Sequence, residues 1–454
     1  MPERSLLYRN DRAGAYPESY YAATAIGMVD RPAVEGVVEA DVCIIGGGFA
    51  GLSTALHCAE QGRSVVVLDA HRVGWGASGR NGGQAGAGQR VDQDELEPLL
   101  GLDDAREAFR IGIEAPQLVQ DLATKHSIPI GYKPGILHTN HRARYDPESR
   151  AYARKLNEEY DYDKIRFVER DELPEMLGAA GCFAGTLDMG GGHCHPLNLA
   201  LGLARAAEAA GAQIFEHSPV VEVDRGDPHV VRTAGSASQR SAGAPASEGT
   251  VRAGIVLYAC NGYLAGLEPR TAARVMPINS FVVATEPLDD EVARSLIRDD
   301  VAVADSRFVV NYYRLSEDPV SKERRLLFGG GETYGYGFPA RIDEFVRRPM
   351  AAVFPQLAGV RIDYGWGGTL GITRPRLPDF AELGQGIYSM SGYSGSGLAM
   401  ATRSGKIFAD MLGGDDRDFR VMQRMPTAPF PGGGRWRHPL LFAAMTWYAF
   451  RDRL

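Results

Sequence analysis

Two glycine clusters and one carboxylate carry the clearest chemistry in this sequence. Gly46, Gly48 and Gly51 form G-x-G-x-x-G. In such a run the first glycine permits a tight turn, the second lets a pyrophosphate approach the backbone, and the third allows a following helix to pack closely. Asp69 ends the next apolar run, where an acid hydrogen-bonds the ribose hydroxyls of a dinucleotide and disfavours a 2′-phosphate. Far along the chain, Ser394, Gly395, Ser396 and Gly397 precede a helical stretch that begins near Leu398. Backbone N–H groups at that helix start stabilise negative charge, and a cap by Ser394 or Ser396 uses the same groups.

The elements that must position these residues are legible around them. VCIIG reads as a strand and LSTALHCAEQG as a helix with Leu52, Ala55, Leu56 and Ala59 on one face; SVVVLD reads as a second strand. This is one βαβ unit, with the phosphates expected on the helix N-terminus. Seven glycines with Ser78, Arg80, Asn81 and Gln84 follow at once in RVGWGASGRNGGQAGAG, a backbone suited to lie against a large ligand. From Leu197 a helix with an alanine-rich face is predicted, then strands at Gln213 and near Val220. IYSMSGYSGSGLAMATRSGKIFADML reads as strand, Gly/Ser turn and helix.

Other residues admit two readings each. His193 and His195 flank Cys194 at a spacing that a metal could use, but no second cluster completes a site, so no metal is expected. His193 reads instead as a pocket wall and His195 as the residue that opens the helix from Leu197. Glu332, with Tyr334 in GGGETYGYG, could pair with a substrate ammonium group or be a solvated loop acid. Trp366 could wall a pocket or sit in the core.

The whole-chain figures narrow the class. The chain has 454 residues, 44% apolar, with 49 Lys+Arg against 57 Asp+Glu and a net charge of −8. That balance, without a long basic block, argues against a nucleic-acid partner and for a small molecule. No apolar run reaches the roughly 18 residues of a membrane span. LLFAAMTWYAF, Leu440 to Phe450, is expected to be a docked terminal helix. The N-terminus lacks a signal-peptide core, and five scattered cysteines suggest neither a disulfide framework nor zinc, so a cytoplasmic location is expected. Glycine, 55 of 454, is in excess, and its clustering marks where backbone must approach a ligand.

These motifs resemble the D-amino-acid oxidase, glycine oxidase and sarcosine oxidase superfamily of flavoproteins. The resemblance implies FAD as cofactor, with Ser78, Gly79, Arg80 and Asn81 along the FAD chain and Gly82, Gly83 and Gln84 beside the isoalloxazine. It also implies that Val220 holds the adenine edge by its backbone, and that Gly368, Ser394, Gly395, Ser396, Gly397 and Leu398 lie against the flavin. Covalent members attach FAD through a cysteine in the stretch matching Trp366 to Thr373 or a histidine in the loop after the second strand. Neither is read in this sequence, so noncovalent FAD is expected.

The implied fold is α/β. A Rossmann-like FAD-binding domain of the glutathione-reductase type (37–90, 191–275 and 361–412) is interleaved with a mixed-sheet α+β substrate domain (91–190 and 276–360). A 1–36 arm precedes them and a 413–454 tail with a terminal helix follows, while the Ser/Ala/Gly-rich 225–250 is expected to be a loop. SYYAAT, WGASGRNGGQ, GGGHCHPLNLALG and YGWGGTLGITRPRLPD look most similar to the γ-glutamylputrescine oxidoreductase branch. That branch implies oxidation of a primary amine to imine, then aldehyde and ammonia, with oxygen or an electron carrier as acceptor. Ala399 stands where sarcosine-oxidase-like members carry a carboxylate-binding lysine, which weakens an amino-acid reading. The rivals are an N-methyl, cyclic or simple amino-acid oxidase or dehydrogenase, in which Arg314 would have to bind the carboxylate, and a non-catalytic FAD-binding subunit. No general base is assigned, the candidate pocket residues are Gln84, His193, Arg314, Glu332, Tyr334 and Trp366, and oligomeric order is not legible.

Overall fold

The run Val65–Leu68 is buried at every position, as a parallel strand must be when both sheet faces are covered. It lies parallel to Gly36–Ile45, which lies parallel to Gly249–Tyr258, and that to Ile387–Ser391. Gln213–Phe215 extends this sheet on one side and the antiparallel Asp379–Gly384 closes the other. A ribbon of Val220–Asp224 and His229–Thr233 hangs from Gly249–Tyr258, giving eight strands. The chain is a computed structural model that describes residues 6–235 and 248–431. The terminal helix expected at Leu440 to Phe450, and residues 236–247 of the Ser/Ala/Gly stretch, lie outside the described residues.

The helix Phe49–Glu60 follows the first strand, and Leu52, Ala55 and Leu56 on its predicted face are fully buried. Gly51 fixes how close that helix can start. A Cβ there would lie 2.0 Å from the Gly46 carbonyl oxygen, and Gly46 itself has φ +117°. Helices Pro196–Ala209 and Gly397–Leu412 pack against Phe49–Glu60, and the Ser53 hydroxyl donates to Thr402 O at 2.6 Å.

A second sheet of nine strands carries the rest. Its order runs from Ile362–Ile372 through Met276–Thr285, Arg324–Thr333, Tyr312–Glu317, Ala302–Asp305, Lys133–Thr139 and Gly185–His193 to Gln84–Ala85, with Ile165–Val168 also on Gly185–His193. Ala302–Asp305 runs parallel to Lys133–Thr139, and the other pairs are antiparallel. Gln84–Ala85 and Ile362–Ile372, which fall within the segments 37–90 and 361–412 expected for the FAD-binding domain, hydrogen-bond in this second sheet. The glycines of Ile362–Ile372 make room within the sheet: a Cβ on Gly367 would meet the Phe281 and Phe338 rings at under 3 Å. Helices Asp290–Leu296 and Ile342–Val353 bury their apolar faces on the outer side of this sheet.

Candidate functional site

A single cavity of about 1660 Å³ runs from the first glycine turn to the inner face of the second sheet. Small-molecule pockets are usually about 300–1,000 Å³, so this one has room for a dinucleotide and a further ligand. Gly46, Gly48, Asp69, Ser78, Arg80, Asn81, Gly82, Gln84, Val220, Glu332, Gly368 and Ser394 to Leu398 line it. Gly51, Gly79, Gly83, His193, Arg314, Tyr334 and Trp366 do not.

The dinucleotide end is built from backbone. Helix Phe49–Glu60 starts at Gly48, which has no side chain to cap it; Phe49 N–H goes to Ser78 Oγ, and the N–H groups after it in the first turn are left to a ligand. Asp69 accepts from Gly47 N–H at 2.7 Å and His71 N–H at 2.8 Å, and burial pushes its carboxyl up to about 6. The Ser78 hydroxyl accepts from Phe49 N–H at 3.0 Å, tying the second glycine loop to the first. Leu7 and Tyr8 of the N-terminal arm join Val220 on the wall beyond Asp69.

The second loop is held from within. Asn81 donates to Ala77 O and Ser78 O and accepts from Gly83 N–H. Arg80 donates to Trp75 O at 2.7 Å, Gly367 O at 3.1 Å and Asp11 at 2.8 Å, and its guanidinium stacks over Trp75 at 4.3 Å. Its remaining Nη2 is buried without a partner among the described residues. An unmade donor beside a large cavity costs about 1–3 kcal/mol and is relieved by an acceptor on a bound ligand. That orphan, the uncapped helix and the glycine cradle all fit FAD. His71, in the loop after the second strand, is a histidine of the kind that carries FAD in covalent relatives. Its Nδ1 accepts from Gly14 N–H and its Nε2–H donates to Leu7 O, so both ring nitrogens are engaged.

Helix Gly397–Leu412 points its start into the cavity. Neither serine caps it: Ser394 (φ +53°) spends its hydroxyl on Gly392 O and Thr373 N–H, and Ser396 makes no side-chain cap.

Three expected pocket residues lie behind the cavity wall. Arg314 donates to Gly82 O at 2.7 Å, Cys194 O and Leu315 O at 3.0 Å, Tyr21 OH at 3.1 Å and His193 Nδ1 at 3.4 Å. It braces the second glycine loop from outside, so it is not a carboxylate receptor. His193 Nε2–H donates to Asp300 O at 2.7 Å; burial, with Arg314 beside it, lowers its pKa to about 3. Trp366 is 2% exposed, meets Tyr21 edge-on at 5.3 Å and donates Nε1–H to Arg80 O at 2.9 Å. Strand alternation puts all three on the same sheet face as Gln84, Tyr312 and Gly368, but the second glycine loop and Tyr21 of the Tyr20–Ala23 helix cover Arg314 and Trp366 there, and Arg314 packs against His193. Tyr334 reaches the cavity only through Glu332, to which its hydroxyl donates at 3.3 Å. His195 accepts from Asn198 N–H through Nδ1, capping Pro196–Ala209, and shares a hydrogen bond with Thr24 through Nε2.

On the second-sheet side, register sets Gly368, Ser280 and Glu332 in one row across three strands. Tyr312 stands beside them, its hydroxyl 3.2 Å from Ser280 Oγ, and burial raises its pKa to about 12. Gln84 is oriented by its amide donating to Val303 O at 2.9 Å. Burial raises the Glu332 carboxyl, against the opposing pull of Arg376, Tyr334 and Arg90. Sequence reasoning missed Arg90, Asp92, Arg376 and Tyr312 on this lining. Burial, with Glu95 nearby, pushes Asp92 up to about 6. The one available signal was that Gln89, Arg90 and Asp92 directly follow the last glycine of the second loop.

Among the described residues no helix is long and apolar enough to cross a membrane. Residues 41–411 match the family described as FAD dependent oxidoreductase (DAO). The chain is 39% identical over 436 residues to "Probable oxidoreductase OrdL" of Rhizobium meliloti, covering 96% of this chain and 97% of the relative. It is 36% identical over 444 residues to gamma-glutamylputrescine oxidoreductase of Escherichia coli, covering 97% and 99%. Among solved structures, glycine oxidase from Geobacillus kaustophilus shares the fold with a TM-score of 0.66 at 20% identity, over 86% of this chain and 96% of that one. The uncapped helix beside the glycine cradle, the orphaned Arg80 donor and these matches agree: the chain belongs to the DAO family of FAD-dependent oxidoreductases.

Proposed function

We propose that this chain oxidises the terminal C–N bond of an acylated diamine of the γ-glutamylputrescine type, giving an imine that hydrolyses to aldehyde and ammonia. The observation that carries this reading is the continuity of one cavity from the glycine cradle to a compartment lined by charges of both signs. The 36% identity to a relative named for that substrate supports it. FAD, when bound, would supply the two-electron acceptor for the C–N bond, with oxygen as the proposed final acceptor and hydrogen peroxide as its product.

The residues of the chain bind, orient and desolvate. Gly46, Gly48 and Ser78 hold the pyrophosphate on the helix start, Asp69 takes the ribose hydroxyls, and Val220 borders the adenine. Asn81, Gly82 and Gln84 keep the second loop against the flavin, and Arg80 Nη2 donates to it. The start of Gly397–Leu412 stabilises negative charge on the reduced cofactor. Tyr312 and Gln84 wall the reacting amine, and the Glu332 carboxylate faces an ammonium group. No side chain is assigned as general base. The simple amino-acid reading loses Arg314 as its carboxylate receptor, since that side chain is spent on the loop.

Anaerobic flavin bleaching against γ-glutamylputrescine, putrescine, sarcosine, glycine and pipecolate tests the proposal. Bleaching by the first, with peroxide formed on readmitting air, is expected. Bleaching by sarcosine, glycine or pipecolate alone would overturn it. Bound FAD reduced by no amine would instead mark a non-catalytic subunit, and slow reoxidation by air would mark a dehydrogenase.

A further inference from the structure

Arg90 and Arg376 both line the cavity, and neither guanidinium has a hydrogen-bond or ion-pair partner among the described residues. Of the other arginines that line this cavity, Arg80 pairs with Asp11, Arg307 pairs with Asp305, and Arg374 donates to Pro429 O at 3.5 Å. Burial and the neighbouring Arg376 lower the pKa of Arg90, opposed by Asp92, Glu332 and Glu95. Both side chains are half-buried, and a half-buried cation without a partner gains when an anion arrives with the ligand.

Arg376 carries a second mark. Its backbone is left-handed, with φ +60°, a strained conformation for a side chain of this size, and its guanidinium lies over the Phe308 ring at 4.9 Å. Strain of this kind persists where the surroundings fix a residue for use. Glu332 shares the same compartment, with Tyr334 on one carboxylate oxygen. Two free guanidinia beside a carboxylate match a head group bearing an anion and a cation together.

We propose that Arg90 and Arg376 bind the α-carboxylate, and Glu332 the α-ammonium, of an amino-acid head remote from the reacting amine. This rests on the proposed function and adds the residues that select the acyl group. The specificity of the site then lies in the head, not in the diamine tail. A neutral acyl group leaves both guanidinia and the carboxylate unpaired, which is how a polar site rejects a substrate that lacks its partner.

The test uses the FAD-loaded full chain and two readouts. The first is calorimetric binding of γ-glutamylmethylamide, which has the head but lacks the terminal amine of the diamine. The wild type is expected to bind it, and Arg90→Gln and Arg376→Gln to weaken it by about 10- to 100-fold, with Arg90→Lys intermediate. The second is the ratio of kcat/KM for γ-glutamylputrescine over N-acetylputrescine. It is expected to fall by a similar factor in the glutamine variants, through KM, with N-acetylputrescine turnover within about twofold of wild type. Unchanged binding in both variants, or equal losses on both substrates, would overturn the assignment. Failure of the proposed function reads differently: the head analogue still binds in an Arg90-dependent way, but no diamine is oxidised. No binding to the wild type would overturn the head site whatever the turnover. Retained flavin absorbance and unfolding midpoint show that a variant is folded.

Discussion

The two ends of the cavity are made by opposite means. At the dinucleotide end the ligand meets main chain: a helix start, glycine turns and one carboxylate already held by two backbone N–H groups. At the second-sheet end it meets side chains delivered from loops and strand ends, several without partners of their own. The first end is fixed before any ligand arrives, as a site shared by a whole family should be. The second end can change by substitution without disturbing the sheets, so one cofactor site can serve different substrates.

The sharpest way to break the first end is Gly51→Ala. The added Cβ meets the Gly46 carbonyl oxygen at 2.0 Å, and neither backbone can yield without moving the turn or the helix. A clash of that depth costs at least about 3 kcal/mol, equivalent to more than a hundredfold loss of FAD affinity. Purified protein should carry less than about a tenth of the normal flavin per chain by absorbance. Full flavin content would show that the turn does not hold the cofactor.

Arg314→Ala tests what joins the two ends. It removes donors to Gly82 O, Cys194 O and Tyr21 OH and frees the back of the second loop. A loss of roughly 3 kcal/mol in denaturant unfolding is expected, with weaker FAD retention and losses on every substrate alike. A selective rise in KM for carboxylate-bearing substrates, at unchanged stability, would return Arg314 to the pocket.

This arginine also shows where sequence reading stops. Gly46, Gly48, Gly51 and Asp69 were legible because their contacts are local: one turn, one helix start and the neighbouring strand end. The βαβ unit followed from apolar runs that a parallel sheet and its covering helix must bury. Arg314, His193 and Trp366 were read as pocket residues because an arginine, a histidine or a tryptophan near glycine looks the same whether it faces a ligand or braces a loop. What decides between those cases is which stretch of the sheet face is covered, and that depends on the Tyr20–Ala23 helix folding over from a distant part of the chain. Arg90 and Arg376 were missed for the converse reason. They come from irregular segments, and the left-handed backbone of Arg376 has no glycine to announce it.

A pH experiment sharpens the contrast between brace and pocket. The buried His193 and His195 both have their pKa values lowered to about 3, chiefly by desolvation, from an ordinary 6.5. The folded state therefore binds fewer protons than the unfolded chain between these values. Their contribution is fully present above 6.5 and is lost as pH falls toward about 3. Near pH 5 each costs about 2 kcal/mol. His193→Gln should leave stability at pH 7.5 nearly unchanged and flatten the decline from pH 6.5 to 5 by about one proton. An unaltered slope would mean that His193 titrates freely, as a pocket residue does.

The smallest effect is expected for Trp366→Phe. The ring stays in its buried slot against Tyr21, but the Nε1–H that donates to Arg80 O is lost. Arg80 keeps its bonds to Trp75, Asp11 and Gly367, so the second loop should hold its course. One unsatisfied carbonyl costs about 1 kcal/mol of stability. Because the indole does not line the cavity, KM for the amine should stay within about twofold, while a true pocket wall would lose tenfold or more. A large KM change with normal flavin content would mean that Trp366 faces substrate and that the boundary between brace and pocket lies deeper in the second sheet.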